Sequence, residues 1–235
     1  MKLATIVALG LLAAGLAGCG SSSTSETIAQ VGDYKISRAA LEHWTPIEAI
    51  LAYNGNPTSP VPKGVIPDPP KYKACIKWLR STMPRPHGKE VGPSNTQLER
   101  ECASKFLELR NHMLEILITY DWLQEEATAR HIKISDAEVS HELAQFVHRE
   151  YPSQAAFHAF LGFTGLSLAD ERQRIKRNML ASRLLEYARS HAGPAQIEKG
   201  EAFADFVHEF EKRWRARTSC HAGYVISSCA PHKSA

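Results

Sequence analysis

The stretch SNTQLERECASKFLELRNHMLEILITYDWLQEEATA, residues 94–129, decides the fold of this chain. Its apolar residues recur every three or four positions, which is the period of one face of an α-helix. The recurring positions are Leu98, Cys102, Phe106, Leu109, Met113, Leu117, Tyr120, Leu123 and Ala127. The pattern predicts a single helix of about 35 residues, roughly 50 Å long, and therefore an elongated, mainly α-helical body.

The chain before this helix predicts a hairpin, one helix and a long irregular segment. Residues 27–36 have strand character on both sides of a Gly-Asp pair, which favours a tight turn between two short strands. Ser37 is a good N-cap for a helix that follows directly. Six prolines between residues 54 and 71 exclude a regular helix or a central strand there. We therefore expect an insertion over 54–93 with only a short helix over 72–80.

The chain after residue 129 carries further helix caps and helix breakers. Ser, Asp and Glu at the starts of apolar periodic runs predict N-caps, and Gly and Pro predict the ends. The predicted elements are a helix from the capping box Ser135–Glu138, a short helix from Ser153 to Gly162 and Gly165, a helix from Ser167 to about His191, a last helix over 201–217 and a strand over 223–226.

The N-terminus has the layout of an export signal. One charge, Lys2, precedes an apolar run that is too short and too rich in small residues for a transmembrane helix. Residues 16–19, LAGC, resemble the lipobox of bacterial lipoproteins, in which the cysteine thiol carries diacylglycerol. We therefore predict a signal peptide over 1–18, lipidation of Cys19 and a flexible Gly/Ser-rich tether over 19–26. The folded part is expected on the extracytoplasmic face of a cell membrane.

Composition and charge exclude some classes of protein. The formal net charge of +3 falls to about +2 once the signal is removed, so the chain has no strong field for nucleic acid. Its 43% apolar content is enough for a packed core. Basic runs occur at 172–177 and 212–217, but neighbouring acidic residues favour solvated helix faces over a nucleic-acid surface.

Four cysteines besides Cys19 predict two disulfides in an exported protein. Three pairings are possible. We favour Cys75–Cys102, which would close the Pro/Gly-rich segment, and Cys220–Cys229, which would fix the C-terminal tail. Metal binding is the alternative, but no CxxC or CxxH spacing supports it, and no metal site is predicted.

Three stretches, taken in this order, resemble the N-terminal chaperone module of the SurA and PrsA type, which are extracytoplasmic folding factors of bacteria. They are IAQVGDYKISRAAL at 28–41, ISDAEV at 134–139 and TGLSLAD at 164–170. The resemblance covers about 26–53 and 95–217. It implies a helical module over 27–217, in which the C-terminal helix packs back on the N-terminal hairpin. The favoured Cys220–Cys229 bond makes 218–235 a disulfide-fixed tail.

The resemblance also limits the chemistry. Members of that family carry a parvulin prolyl isomerase domain before the terminal helix, but only about ten residues separate His191 from Glu201 here. A parvulin domain does not fit in that space, so we predict no catalytic residues and no cofactor. The expected function is a membrane-tethered chaperone for unfolded exported proteins. The alternatives are an accessory envelope lipoprotein with one fixed partner, or a prolyl isomerase of reduced form.

A client-binding surface requires apolar side chains that stay open to solvent. The first candidate is the aromatic group Tyr151, Phe157, Phe160 and Phe163, which lies on and beside a short helix between Pro and Gly. The alternative is that these aromatics belong to the core. The second candidate is the Pro-rich segment 57–70, as a polyproline II strip. Its alternative is a loop framed by a disulfide. The oligomeric state is not predicted.

Overall fold

The computed structural model describes residues 26–55, 57–84, 91–192, 202–224 and 226–229. Within these ranges the protein is mainly α-helical with one small antiparallel sheet, which confirms the predicted fold class. The strands are β1 (Thr27–Val31), β2 (Tyr34–Ser37) and β3 (Thr218–Cys220). The helices are α1 (Arg38–Tyr53), α2 (Lys73–Thr82), α3 (Asn95–Ala129), α4 (Asp136–Glu150), α5 (Gln154–Thr164), α6 (Leu168–Ser190) and α7 (Ala202–Arg215).

Local sequence signals set the helix starts. The Ser37 hydroxyl accepts a hydrogen bond from the Ala40 N–H at 3.1 Å, as expected of an N-cap. Reciprocal capping boxes open α3, α4 and α6, and their pairs are Ser94 with Gln97, Ser135 with Glu138 and Ser167 with Asp170. At the end of α5 the cap is Gly165, whose φ of 77° is left-handed, whereas the predicted Gly162 lies inside the helix.

The sheet has the strand order β2-β1-β3, so the first strand is central. The prediction of a strand over 223–226 is wrong at the described positions 223, 224 and 226, and the third strand forms at Thr218–Cys220 instead. Thr218 explains this placement. Its buried hydroxyl donates to the Trp214 carbonyl and accepts from the Trp122 indole N–H, both at 2.7 Å. These bonds hold the chain beside β1, where Thr218 pairs with Val31.

The main hydrophobic core lies between the sheet and the helices α1, α3, α5 and α7. Its larger members include Ile28, Val31, Leu41, Trp44, Met113, Leu114, Ile118, Trp122, Phe157, Phe160, Phe210 and Trp214. A second cluster joins α3, α4 and α6 through Ala127, Val139, Ile175, Leu180 and Leu184. The return of α7 and β3 to the N-terminal strand agrees with the expected position of the C-terminal helix.

The long helix α3 is buried on more than the one stripe that its periodicity indicated. Leu114, Ile118 and Trp122 lie outside the predicted stripe and are nevertheless buried. The reason is that α3 packs against α1 and the sheet as well as against α6. A helix with neighbours on several sides buries a wider surface than an amphipathic surface helix does.

A charged residue, Glu126 of α3, is 0% exposed at the junction with α7. Its carboxylate accepts the Trp214 indole N–H at 2.7 Å and an Arg213 Nη1–H at 3.0 Å. Arg130, the C-cap residue directly after α3, donates to the other oxygen at 2.6 Å. Because all three donors converge on one buried carboxylate, Glu126 joins the last helix to the long one.

A satellite core holds α2 against the start of α3, and it is closed by a disulfide. Cys75 and Cys102 are bonded, with Cα atoms 6.1 Å apart, and pack with Leu79 and Leu98. In the tail, Cys220 is bonded to Cys229. Both predicted pairings are therefore confirmed. The predicted signal peptide over 1–18, the lipidation of Cys19 and the tether up to residue 25 lie outside the described residues.

Candidate functional site: an apolar groove edged by arginines

The aromatic group that was the first candidate for a client surface is largely core. Phe157 and Phe160 are each 2% exposed, because α5 turns this face towards α1 and the Tyr151 ring covers both at centroid distances of 5.3 Å. These two residues therefore offer no surface to a client, and that part of the prediction is wrong. Tyr151 and Phe163 are half-buried, and a role for them stays a prediction. Burial raises the pKa of Tyr151 to about 12.

A different apolar surface is open to solvent. It is a groove of about 260 Å³ between α1, α3, the Pro-rich segment and the C-terminal tail. Its lining residues are Arg38, Leu41, Glu42, Thr45, Pro46, Ile66, Pro67, Phe106, Arg110 and Tyr224. Five of these are apolar, namely Leu41, Pro46, Ile66, Pro67 and Phe106, whereas Arg38, Glu42 and Arg110 carry charges. This arrangement is typical of a small binding site: an apolar pocket with a few polar groups that fix orientation.

One edge of the groove is a hydrogen-bonded set around Arg38, the first residue of α1. Its Nη2–H donates to the Glu26 carboxylate at 2.7 Å, and Nη1–H donates to the Tyr224 hydroxyl at 2.9 Å. This pairing lowers the pKa of Glu26 and raises that of Arg38. The charge of Arg38 is therefore balanced by Glu26, and its guanidinium holds the tail residue Tyr224 in place.

The second arginine, Arg110 of α3, has a different environment. Its guanidinium lies over the ring of Tyr224, 5.0 Å from the centroid. Its Nε atom is buried and has no hydrogen-bond partner within the described ranges. A buried N–H of a charged group without an acceptor is costly, and such groups are rare in folded proteins. This buried N–H is closed to a ligand as well as to water, so any donor that Arg110 offers at the groove is one of its terminal Nη N–H groups.

The Pro-rich segment supplies the opposite wall through Ile66 and Pro67, and this wall is well anchored. The Asp68 carboxylate accepts from the backbone N–H groups of Ala74 and Cys75, each at 3.0 Å, and so caps α2. Burial opposes ionisation of Asp68, but these backbone bonds outweigh it and lower its pKa. Of the second sequence candidate, residues 57–70, Ile66 and Pro67 thus line the groove, whereas the Cys75–Cys102 disulfide closes residues 75–102 and does not enclose this segment.

Two other cavities are more polar. A cleft of about 460 Å³ between α4 and α6 has Phe146, Ile175 and Met179 in its floor, but charges of both signs line its walls. A pocket of about 350 Å³ beside α3 and α6 contains Asp121 and Arg177. The Arg177 guanidinium packs 4.2 Å from the Tyr120 ring centroid and is largely removed from water. Because both cavities are less apolar, the groove at Arg110 is the better candidate for binding apolar segments.

Asp121 has an unusual acid strength. Burial raises its pKa from the ordinary 3.8 to about 6; Arg177 opposes the shift and Glu125 adds to it. An acid whose pKa is higher in the folded state stabilises the fold while it is protonated. This contribution is complete below about pH 4 and is lost as the pH rises through about 6.

The substitution Asp121→Asn is expected to remove this pH dependence. At pH 7.5 the variant should gain about 1–2 kcal/mol in the free energy of unfolding, because a buried carboxylate no longer has to ionise. Urea unfolding at pH 4.5, 6 and 7.5 checks this, and the exposed Glu108→Gln on the same helix is the control. If the free energy of unfolding changed with pH as steeply in Asp121→Asn as in wild type, the raised pKa of Asp121 would be contradicted.

The basic runs of the sequence are mostly engaged within the fold. Arg174 pairs with the buried Glu171 at 2.6 Å, and Arg172 donates to the Ser140 hydroxyl at 2.9 Å. In the second run, Arg213 binds Glu126. These side chains serve packing between helices, so the described part of the two runs does not form one continuous cationic surface.

No protein-family model, no curated protein and no solved structure matches this chain. In the described part of the chain, every helix is too short or too polar to cross a lipid bilayer. Across the same residues, no three His, Cys, Asp or Glu side chains come together as a metal site would require. A functional hypothesis must therefore rest on the groove and on the sequence signals.

Sequence reasoning missed most of the groove. Arg38, Arg110 and Tyr224 are far apart in the chain, and no spacing rule connects them. A partial signal was present for Phe106, which belongs to the stripe of α3, and for the Pro-rich segment. The tail residue could only be placed once the strand β3 was known.

Proposed function

We propose that this chain is a membrane-tethered extracytoplasmic chaperone of the SurA and PrsA type. It binds short apolar segments of unfolded exported proteins and makes no covalent change to them. The observation that carries the proposal is the open apolar groove between α1, α3 and the Pro-rich segment. Within the proposal, Cys19 carries the lipid that holds the protein at the membrane, and the Ser-rich tether gives it reach.

Two further features support this function. The helical body with an N-terminal hairpin and a returning C-terminal helix is the architecture that the resemblance implies. The small volume of the groove suits weak and transient binding, because only part of a client segment is desolvated and affinity requires a surplus over the entropy lost. A chaperone that releases its clients needs binding of this kind.

A test is suppression of aggregation. The protein should slow the aggregation of several unrelated unfolded proteins at a few-fold molar excess. Ile66→Lys places a charge in the groove and should abolish most of this effect. The control is the neighbouring half-buried Val65→Lys, which lies outside the groove lining and should retain the effect. Equal activity of the two variants would contradict a role for the groove.

The second candidate function is an accessory lipoprotein with one fixed partner, and the charged side chains in the groove lining, which would fix the orientation of one ligand, favour it. In that case no general suppression of aggregation occurs, and one partner is captured whose binding Ile66→Lys removes. Prolyl isomerisation is a third possibility from the sequence. A protease-coupled peptide assay should show no acceleration, since the segment 192–201 is too short for a parvulin domain.

A further inference from the structure

We propose that the groove recognises the carboxyl terminus of a peptide that ends in an apolar residue, with Arg110 binding the carboxylate. This inference rests on the proposed function, because it specifies what the same groove binds. It starts from Arg110, which lines the groove, is half-buried and makes no ion pair with the described residues. A ligand carboxylate that reaches the terminal Nη N–H groups of Arg110 would supply the counter-ion that this charge lacks.

A carboxylate matches this donor better than a neutral group does. The guanidinium is planar and presents parallel N–H groups that fit the two oxygens of a carboxylate. Tyr224 adds a second donor, because its oxygen accepts from Arg38 and its own hydrogen is left to donate. The Arg110 guanidinium also packs over the ring of Tyr224, with its Cζ atom 5.0 Å from the ring centroid.

The charged residues around the groove favour the binding of a single ligand anion. Glu26 balances Arg38 through a direct ion pair. Glu42, the acidic residue in the lining, is exposed on α1, so water and salt screen its repulsion. Arg110 makes no ion pair with the residues that the structure describes, and it is therefore the cation that a ligand carboxylate would neutralise.

The size of the groove favours a chain end over the middle of an extended segment. Its volume of about 260 Å³ is below the range of about 300–1,000 Å³ that is common for drug-sized ligands. The apolar interior of Leu41, Pro46 and Phe106 can take one or two side chains. A terminal apolar residue fills this interior and places its carboxylate at the arginine edge, which is a known mode of peptide capture.

The test uses the full-length protein and a fluorescein-labelled hexapeptide that ends in Phe-Leu, prepared with either a free carboxylate or a C-terminal amide. Fluorescence anisotropy should show that amidation weakens binding about tenfold, because it removes the charge and one acceptor. Arg110→Met should weaken the acid peptide by a similar factor and leave the amide peptide unchanged. Arg110→Lys should recover only part of the affinity, since a point charge lacks the fork geometry.

The control variant is Arg100→Met, an exposed arginine on the same helix, which should bind both peptides as wild type does. Equal affinity of wild type for the acid and amide peptides, or an unchanged affinity in Arg110→Met, would overturn the inference. Displacement of the probe by decanoate but not by unlabelled acid peptide would overturn it too, in favour of a fatty acid. If the protein suppressed aggregation but bound the acid and amide peptides equally, this inference would be overturned and the proposed function would be unaffected. Failure in both assays would overturn both proposals.

Discussion

Replacement of Glu126 by alanine is expected to lower the free energy of unfolding by about 3–5 kcal/mol. The carboxylate is fully buried and accepts from Trp214, Arg213 and Arg130. Without it the indole N–H of Trp214 is left in the core without an acceptor, and a small cavity forms between α3 and α7. Urea unfolding followed by tryptophan fluorescence measures the loss.

Three comparisons separate the effect of the hydrogen-bond network from the effect of losing one charge. Glu99→Ala, an exposed position at the start of α3, should change the free energy by less than about 0.5 kcal/mol. Glu126→Gln keeps one acceptor and should cost less than the alanine variant. In a double-mutant cycle with Trp214→Phe, the two sites should couple by about 1–3 kcal/mol. A cost of Glu126→Ala below about 1 kcal/mol would show that the network is not essential to the fold.

Removal of the Cys75–Cys102 disulfide by two alanine substitutions is expected to allow local unfolding around α2. The bond closes a loop with a sequence separation of 27, which corresponds to about 3–4 kcal/mol in the chain-entropy model. The satellite core around it is small, so α2 and the first turns of α3 should open without the main core. Hydrogen exchange should be faster at Leu79 and Leu98 but unchanged at Ile118.

The second disulfide provides a matched comparison. Cys220–Cys229 closes a sequence separation of only 9, so its removal should cost less, about 2–3 kcal/mol. Its effect should appear at β3 and at Tyr224, and the peptide affinity of the groove should fall with it.

Faster hydrogen exchange at Ile118 in the variant that lacks the Cys75–Cys102 bond would contradict the first of these two predictions. It would mean that α2 does not open as a separate unit.

The features that the sequence predicted well are those that depend on neighbours in the chain. The N-caps at Ser37 and Ser135 need only the next three residues, and the α3 helix needs only its own periodicity. The cysteine pairings followed from what each pair encloses. Such local signals gave the helices and most of their bounds, apart from shifts of one or two residues.

The features that the sequence could not predict depend on distant contacts. Glu126 and Trp214 are separated by 88 positions, and an acidic residue in a long helix is ordinarily assigned to solvent. Phe157 and Phe160 have the same hydrophobic pattern whether a helix faces a core or a client, so only packing against α1 and Tyr151 could decide between them. The groove forms only where four separate segments meet, namely α1, α3, the Pro-rich segment and the C-terminal tail, so no local signal predicts it.

The central place of β1 in the sheet determines how the protein responds to mechanical force. Any pull exerted through the residues before Glu26 enters the fold along β1, which is bonded to β2 on one side and β3 on the other. Such a pull shears both ladders at once, so several backbone bonds must break together rather than one after another. Tension applied through the N-terminus is therefore resisted by both ladders before the first strand is lost.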